Sequence, residues 1–300
     1  MLIWLCLTLI VIVGLLWWLV PKGTVFHELF SIIHYWVKIY SSTNPDSAEE
    51  QKYSFGNHAR QYLLFYTPKK KAIKNKVVMY LHGGGWIFGS PEGFRKNAFL
   101  LAEQGYAVIM PAYRKLPFYN SDTIREDAFL AVKKSFELMD AQGWTDKQLV
   151  LAGMSAGGNL AALVFLDQPT QKRHHIPSQR LAGLLALGAP LHLAGMARTL
   201  TLRTYAGARN SEQYRAASPI SFIGMQAIAP ILCIHGTKDG LVRYESTLTF
   251  VETFKDKEEQ DIQLLTIEGN THIDIASWSL HKTNIRTAIL NWLNRLDEGN

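Results

Sequence analysis

The stretch QLVLAGMSAGGN, residues 148–159, decides the fold. Leu149 to Ala152 form an unbroken apolar run of the length of a buried strand, and a helix-forming segment opens beyond Ser155. Between them Gly153, Ser155 and Gly157 spell a sharp turn from strand to helix. A serine hydroxyl is a poor nucleophile at neutral pH, so a serine that does chemistry must be presented on such a turn, within reach of a base and of a carbonyl. Small residues permit it. A Cβ two positions before or after the serine would collide with the neighbouring strand or helix, which accounts for Gly153 and Gly157. The helix beyond Ser155 directs free N–H groups and its positive dipole end at the same point, so the N–H of Ala156 is an expected donor to a developing oxyanion.

A second glycine run precedes the first. After the apolar residues Val77 to Leu81 comes His82-Gly83-Gly84-Gly85-Trp86. Three consecutive glycines let a loop bring backbone N–H groups against a substrate without side-chain obstruction, which makes Gly84 and Gly85 the other expected oxyanion donors.

HGGGWIFGS at residues 82–90 and GMSAGGN at 153–159 resemble the oxyanion and nucleophile segments of the α/β-hydrolase superfamily, in its hormone-sensitive-lipase-like and carboxylesterase branch. YRKLP at 113–117 is a looser echo. The resemblance runs from about Lys76 to the C-terminus. Met154 stands where that branch usually has an acidic residue, and YRKLP lacks the branch's Ala-Pro; neither departure removes a catalytic group. The resemblance implies an α/β-hydrolase fold, a mostly parallel, doubly wound sheet with a small helical cap. It also implies cleavage of carboxylic esters through an acyl-enzyme, with a triad in the chain order serine, acid, histidine.

The sequence supplies both remaining members. After the apolar run Ile231 to His235, the turn GTKDGLV at 236–242 offers a single carboxylate, Asp239. After the run Ile262 to Ile267, EGNTH at 268–272 places His272 just past the strand end. His272 is then the expected general base and Asp239 the group that orients it. Asp274 is the rival acid, but it follows the histidine too closely to match the order. Alternatives are an amidase, including aryl-formamide hydrolysis, and a non-catalytic binding protein on a hydrolase scaffold. Binding proteins of that kind often lose a triad member, whereas Ser155, Asp239 and His272 are all present here.

Further apolar runs at Tyr106 to Met110 and Gly183 to Leu187 alternate with helical stretches at Ile124 to Met139 and Asn159 to Leu166, as in a sheet covered on both faces. Tyr53 to Phe65 reads as antiparallel strands at the start. The pattern weakens over residues 191–225, the expected cap, with short helices at Ala194 to Leu202 and Ser211 to Ala216. A cap screens an acyl-enzyme and shapes its pocket. Trp86, Phe88 and Tyr205 are the expected lining aromatics.

Residues 1–21 read as a transmembrane anchor. Leu2 to Val20 carries no charge and spans roughly 30 Å as a helix, enough to cross a bilayer core. Against a cleaved signal peptide stand the absence of a charged n-region and of a small-x-small cleavage site before Pro21. Trp17, Trp18 and Lys22 suit a membrane interface, and Lys22 with Lys38 places the following domain on the cytoplasmic side. Over residues 22–52, Val25 to Tyr40 reads as an amphipathic helix, lying at the membrane or packed on the domain, and Ser41 to Gln51 as a loop. Residues 53–300 form the catalytic domain.

The formal net charge of +6 does not indicate nucleic acid, because the basic residues are scattered apart from Lys69-Lys70-Lys71 and no nucleic-acid motif accompanies them. Attraction to anionic membrane lipid is the simpler use of that charge. There is no phosphate-binding loop and no metal-ligand cluster, so no cofactor is expected. The expected partner is a small-molecule or lipid ester.

Overall fold

A computed structural model of the chain describes residue 4 and residues 20–41, 46–224, 229–257 and 261–299. Its framework is an eight-stranded sheet among the described residues, with the order β1-β2-β4-β3-β5-β6-β7-β8. The strands are β1 (Ala48–Ser54), β2 (Tyr62–Pro68), β3 (Lys76–Leu81), β4 (Val108–Pro111), β5 (Gln148–Met154), β6 (Leu181–Leu187), β7 (Ile231–Gly236) and β8 (Ile262–Ile267). Only β2 runs antiparallel to its neighbours, β1 and β4; every other adjacent pair is parallel.

The side-chain period of two explains how one run of residues serves two cores. Val77, Met79 and Leu81 of β3 pack on one face and Val78 and Tyr80 on the other. The first face is covered by α3 (Ser121–Ala141), α4 (Ala156–Leu166) and α8 (Tyr244–Lys257), through residues such as Phe129, Leu160 and Phe250. The second is covered by α2 (Arg95–Glu103) and α10 (Asn284–Glu298), with Phe99, Trp292 and Leu293, and by Tyr35 and Ile39 of α1 (Val25–Ser41). Parallel strands covered on both faces read as continuous apolar runs, and that is why β3 to β7 were visible in the sequence. Short helices α5 (Gln168–Arg173), α6 (Leu200–Ala206), α7 (Glu212–Ala216) and α9 (His272–Ala276) complete the described structure.

Two expectations need correction. The stretch read as a loop over Ser41 to Gln51 contains the start of β1 at Ala48. This is an edge strand paired only with β2, and its run of exposed polar residues, Glu49 to Lys52, blunts the edge while hiding the strand pattern. The helix expected at Ala194 to Leu202 begins instead at Leu200, because the Thr199 hydroxyl accepts from the N–H of Leu202 and caps it there.

Among the described residues no helix is long and apolar enough to cross a membrane. The expected anchor, Leu2 to Val20, lies outside the described residues apart from Trp4 and Val20.

Candidate active site

Ser155 stands between β5 and α4 with φ +55° and ψ −123°, a backbone conformation that costs a non-glycine residue about 1–3 kcal/mol. The close approach that keeps the turn in place is visible at Gly157. A Cβ there would stand 2.1 Å from the Leu81 carbonyl oxygen and 2.5 Å from that of His82, so the first turn of α4 rests directly on the end of β3. From that end the glycine loop departs, and at Gly83 a Cβ would lie 3.4 Å from Ser155 Cβ. The nucleophile turn and the glycine loop are therefore in direct contact.

Gly84, at φ +127°, accepts the N–H groups of Ile87 and Phe88 on its carbonyl, at 3.0 and 2.8 Å, closing the loop. Among the described residues the N–H groups of Gly84, Gly85 and Ala156 donate to no loop or turn carbonyl. Such N–H groups are what an oxyanion requires.

The loop is held from the YRKLP segment. Tyr113 donates its hydroxyl to the His82 carbonyl at 2.8 Å and stacks on the His82 ring, with centroids 4.3 Å apart. The Leu116 N–H donates to Trp86 O at 3.0 Å. Lys115 Nζ donates to Phe88 O at 2.8 Å and also to Gly89 O, and burial pushes its pKa down to about 8. Arg114, between them, is fixed by the buried Asp127, which accepts from its backbone N–H at 2.8 Å and from its guanidinium. His82 Nδ1–H donates to Gly83 O at 2.8 Å, and burial, helped by the Lys115 charge, pushes that imidazole down to about 3. His82 is thus a neutral structural group.

The aromatics expected to line the pocket separate. Trp86 and Tyr205 are buried and stacked on each other with centroids 3.9 Å apart, while Phe88 is 63% exposed. Tyr205, on α6, donates to Asn159 Oδ1 at 2.9 Å, and Asn159 Nδ2 donates to Pro190 O and Ala217 O. The stack joins the glycine loop to the segment that carries α6.

Asp239 lies in the turn after β7 and His272 opens α9. His272 Nδ1 donates to Asp239 Oδ2 at 2.6 Å, a charge-assisted bond that leaves Nε2 with its lone pair. Asp239 Oδ1 accepts from the N–H groups of Leu241 and Val242 at 2.9 and 2.7 Å. Burial alone would raise the Asp239 pKa, but the charge of His272 and hydrogen bonds from His235 and His272 hold the carboxyl well below the usual carboxylate range. For His272 burial works against the cation, yet the charge and hydrogen bond of Asp239, with the charge of Glu28, raise its pKa. Gly188 brings the parts together. A Cβ on it would lie 3.2 Å from His272 Nδ1, and its neighbour Leu187 accepts the Ser155 N–H at 2.8 Å.

The rival acid, Asp274, is engaged elsewhere. It accepts from the N–H of Thr271 at 2.9 Å while the Thr271 hydroxyl accepts from the N–H of Asp274, a reciprocal helix cap.

Three residues at the site escaped the sequence reading. His235, buried at the end of β7, stands with Nε2 3.2 Å from Asp239 Oδ2. Lys115 anchors the glycine loop as described. Glu28 of α1, fully buried, accepts the N–H groups of Gly240 and His272 on Oε1 at 3.0 and 2.8 Å and that of Ile273 on Oε2 at 3.2 Å. The position of His235 four residues before Asp239 was a usable signal, and Lys115 lies inside the YRKLP segment; nothing local marks Glu28.

A sheet with one antiparallel strand near its edge, a serine on a strand-to-helix turn and a glycine loop beside it define an α/β-hydrolase of the hormone-sensitive-lipase-like, carboxylesterase type. The chain belongs to the BD-FAE family, whose model matches residues 63–254. It is 25% identical over 237 residues to a probable isoprenylcysteine alpha-carbonyl methylesterase of Oryza sativa subsp. japonica, covering 74% of this chain and 57% of that protein. Esterase LipC of Mycobacterium tuberculosis is 26% identical over 240 residues, covering 73% and 58%. The chain thus spans less than two thirds of the length of these relatives. The crystal structure of esterase B from Lactobacillus Rhamnosis superimposes with a TM-score of 0.73 at 19% identity, covering 91% of this chain and 93% of that one, and so shares the fold.

Proposed function

We propose that this protein is a membrane-anchored serine hydrolase of carboxylic esters. Ser155 attacks the ester carbonyl, and His272 Nε2 takes the hydroxyl proton and returns it to the leaving alcohol. Asp239 holds the imidazole in that tautomer and stabilises its cation. The N–H groups of Gly84, Gly85 and Ala156 receive the oxyanion, and water activated by His272 then releases the acid. The observation that carries this reading is the 2.6 Å bond between His272 Nδ1 and Asp239 Oδ2, together with a serine held at positive φ on the strand-to-helix turn. Membership of a family with esterase relatives supports ester hydrolysis.

Two features support the membrane. Leu2 to Val20 is uncharged. The helix that follows turns Val25, Phe26, Leu29, Ile33, Trp36 and Val37 outward, each at least 45% exposed, which suits the interface of a bilayer. A substrate ester borne on a lipid fits this placement, and the name of the Oryza relative, an isoprenylcysteine methylesterase, is of the same chemical kind. Lys22 and Lys38 favour a cytoplasmic domain.

The test is labelling with a fluorophosphonate probe together with hydrolysis of a p-nitrophenyl ester series. Wild-type protein is expected to label and turn over. Ser155→Ala should do neither, with kcat lower by on the order of 10⁶. Wild-type protein that neither labels nor turns over would point to a binding role.

A further inference from the structure

We propose that Glu28, on the helix that follows the apolar N-terminal run, is a positioning residue for the site, clamping the Asp239 turn and the His272 turn to one another. This role presupposes the assignment of Ser155, Asp239 and His272 proposed above.

A carboxylate is expensive to bury without hydrogen bonds, and Glu28 is completely buried. Packing economy favours the opposite orientation of α1, with its apolar residues on the protein. Instead Phe26, Leu29 and Ile33 face outward and Glu28 faces in. What it finds there accounts for the inversion. Its Oε1 accepts from Gly240, the residue after Asp239, and from His272 itself, while Oε2 accepts from Ile273. The two turns already meet near the strand ends, where Lys238 N–H donates to Asn270 O and Gly269 N–H to Thr237 Oγ1, both at 2.9 Å. The Glu28 carboxylate adds a tie farther out, at Gly240 and His272, next to the 2.6 Å bond between Asp239 and His272.

Two further contacts agree. A Cβ on Gly240 would stand 2.7 Å from Thr24 O, so the acid-bearing turn and the start of α1 touch without room for a side chain. The Glu28 N–H donates to the same Thr24 carbonyl at 3.2 Å, holding the first turn of α1 in place. Besides spacing the loops, the negative charge of Glu28 lies beside His272 and stabilises the imidazolium formed when the Ser155 proton is taken. The same helix thus presents an apolar face outward and completes the acid-base pair inward.

The experiment uses the full chain in detergent micelles with a soluble ester, comparing wild type, Glu28→Gln, Glu28→Asp and Ser155→Ala. Glu28→Gln keeps the shape but places an amide donor near the Ile273 N–H and removes the charge. We expect kcat to fall roughly 10- to 100-fold, as misplacing catalytic groups by a fraction of an ångström to an ångström does, with KM nearly unchanged. Loss of the negative charge makes the imidazolium less favourable, so the acid limb of the kcat/KM profile moves to lower pH. A purely structural residue would not move it. Glu28→Asp keeps the charge but is one methylene short of spanning both loops, so kcat should fall while the acid limb stays near wild type. If Glu28→Gln does not fold, Glu28→Asp alone decides through kcat. Wild-type kcat in the Glu28 variants, with Ser155→Ala inactive, overturns the clamp and leaves the serine mechanism standing. An active Ser155→Ala overturns the mechanism itself.

Discussion

Replacing Asp239 by Asn tests the acid-base geometry most directly, because the structure dictates which way the new amide must face. Asp239 Oδ1 accepts two backbone N–H groups, from Leu241 and Val242, and Oδ2 accepts from His272 Nδ1. An asparagine placed with its NH2 toward Leu241 and Val242 would oppose two buried donors, at about 1–3 kcal/mol each. Placed the other way it keeps both bonds and opposes His272 Nδ1 and, at 3.2 Å, His235 Nε2, ring nitrogens that can give up their proton as a backbone N–H cannot. The second orientation therefore wins, and His272 avoids the clash by moving its proton from Nδ1 to Nε2.

That tautomer cannot accept the Ser155 proton. The expected loss in kcat is on the order of 10⁴, the size seen when a triad aspartate becomes asparagine and the histidine is left in the wrong tautomer. It corresponds to about 5.4 kcal/mol of lost transition-state stabilisation. His272 also loses the carboxylate charge that raises its pKa, so whatever activity remains should have its acid limb at lower pH than wild type. The assay is steady-state hydrolysis of a p-nitrophenyl ester across a pH series, with circular dichroism to show that the fold persists. A folded Asp239→Asn enzyme within tenfold of wild-type kcat would refute the role of Asp239.

Two other outcomes follow from the same structure. Tyr205→Phe keeps the stack on Trp86 but leaves Asn159 Oδ1 buried without its donor, a cost of about 1–3 kcal/mol. For a domain of this size each kcal/mol lowers Tm by roughly 2–4 °C, so a melting curve superimposable on wild type would exclude that bond. For the anchor, full-length protein should resist carbonate extraction from membranes and a variant lacking residues 1–20 should not; full-length protein released by carbonate contradicts the transmembrane reading.

The parts of the site that could be read from the sequence are those whose backbone demands particular residues. Gly157 cannot be anything larger while Leu81 O lies 2.1 Å from the position of its Cβ, and so the serine turn announces itself in one dimension. Asp239 and His272 could be singled out because each follows a largely apolar strand, and strand ends are where this architecture gathers its ligands. Glu28 was hidden for two reasons. Its partners lie more than two hundred residues away, with 244 positions separating it from His272. Its helix also has a readable apolar stripe that turns outward, so the periodicity that marks the helix gives no sign that Glu28 is buried. The strand β1 was hidden by the charges that protect its edge, and the helix α6 was misplaced because the cap at Thr199 outweighs the apolar pattern before it.

The two halves of the site are supported in different ways. The serine turn and the glycine loop rest on the centre of the sheet, on β3 and β5, and are tied down by Tyr113, Lys115 and the Trp86–Tyr205 stack. Tyr113, Trp86 and Tyr205 belong to the hydrophobic cluster on the first face of the sheet. Asp239 and His272 sit on turns beyond β7 and β8, toward the end of the sheet, and to the bond from Lys238 N–H to Asn270 O between those turns α1 adds the Glu28 carboxylate. Displacing α1 would therefore leave the serine turn and the proposed oxyanion donors in place while loosening the Asp239–His272 pair. Its expected signature is a loss in the proton-transfer step, seen as a lower kcat, with the affinity of the oxyanion pocket preserved.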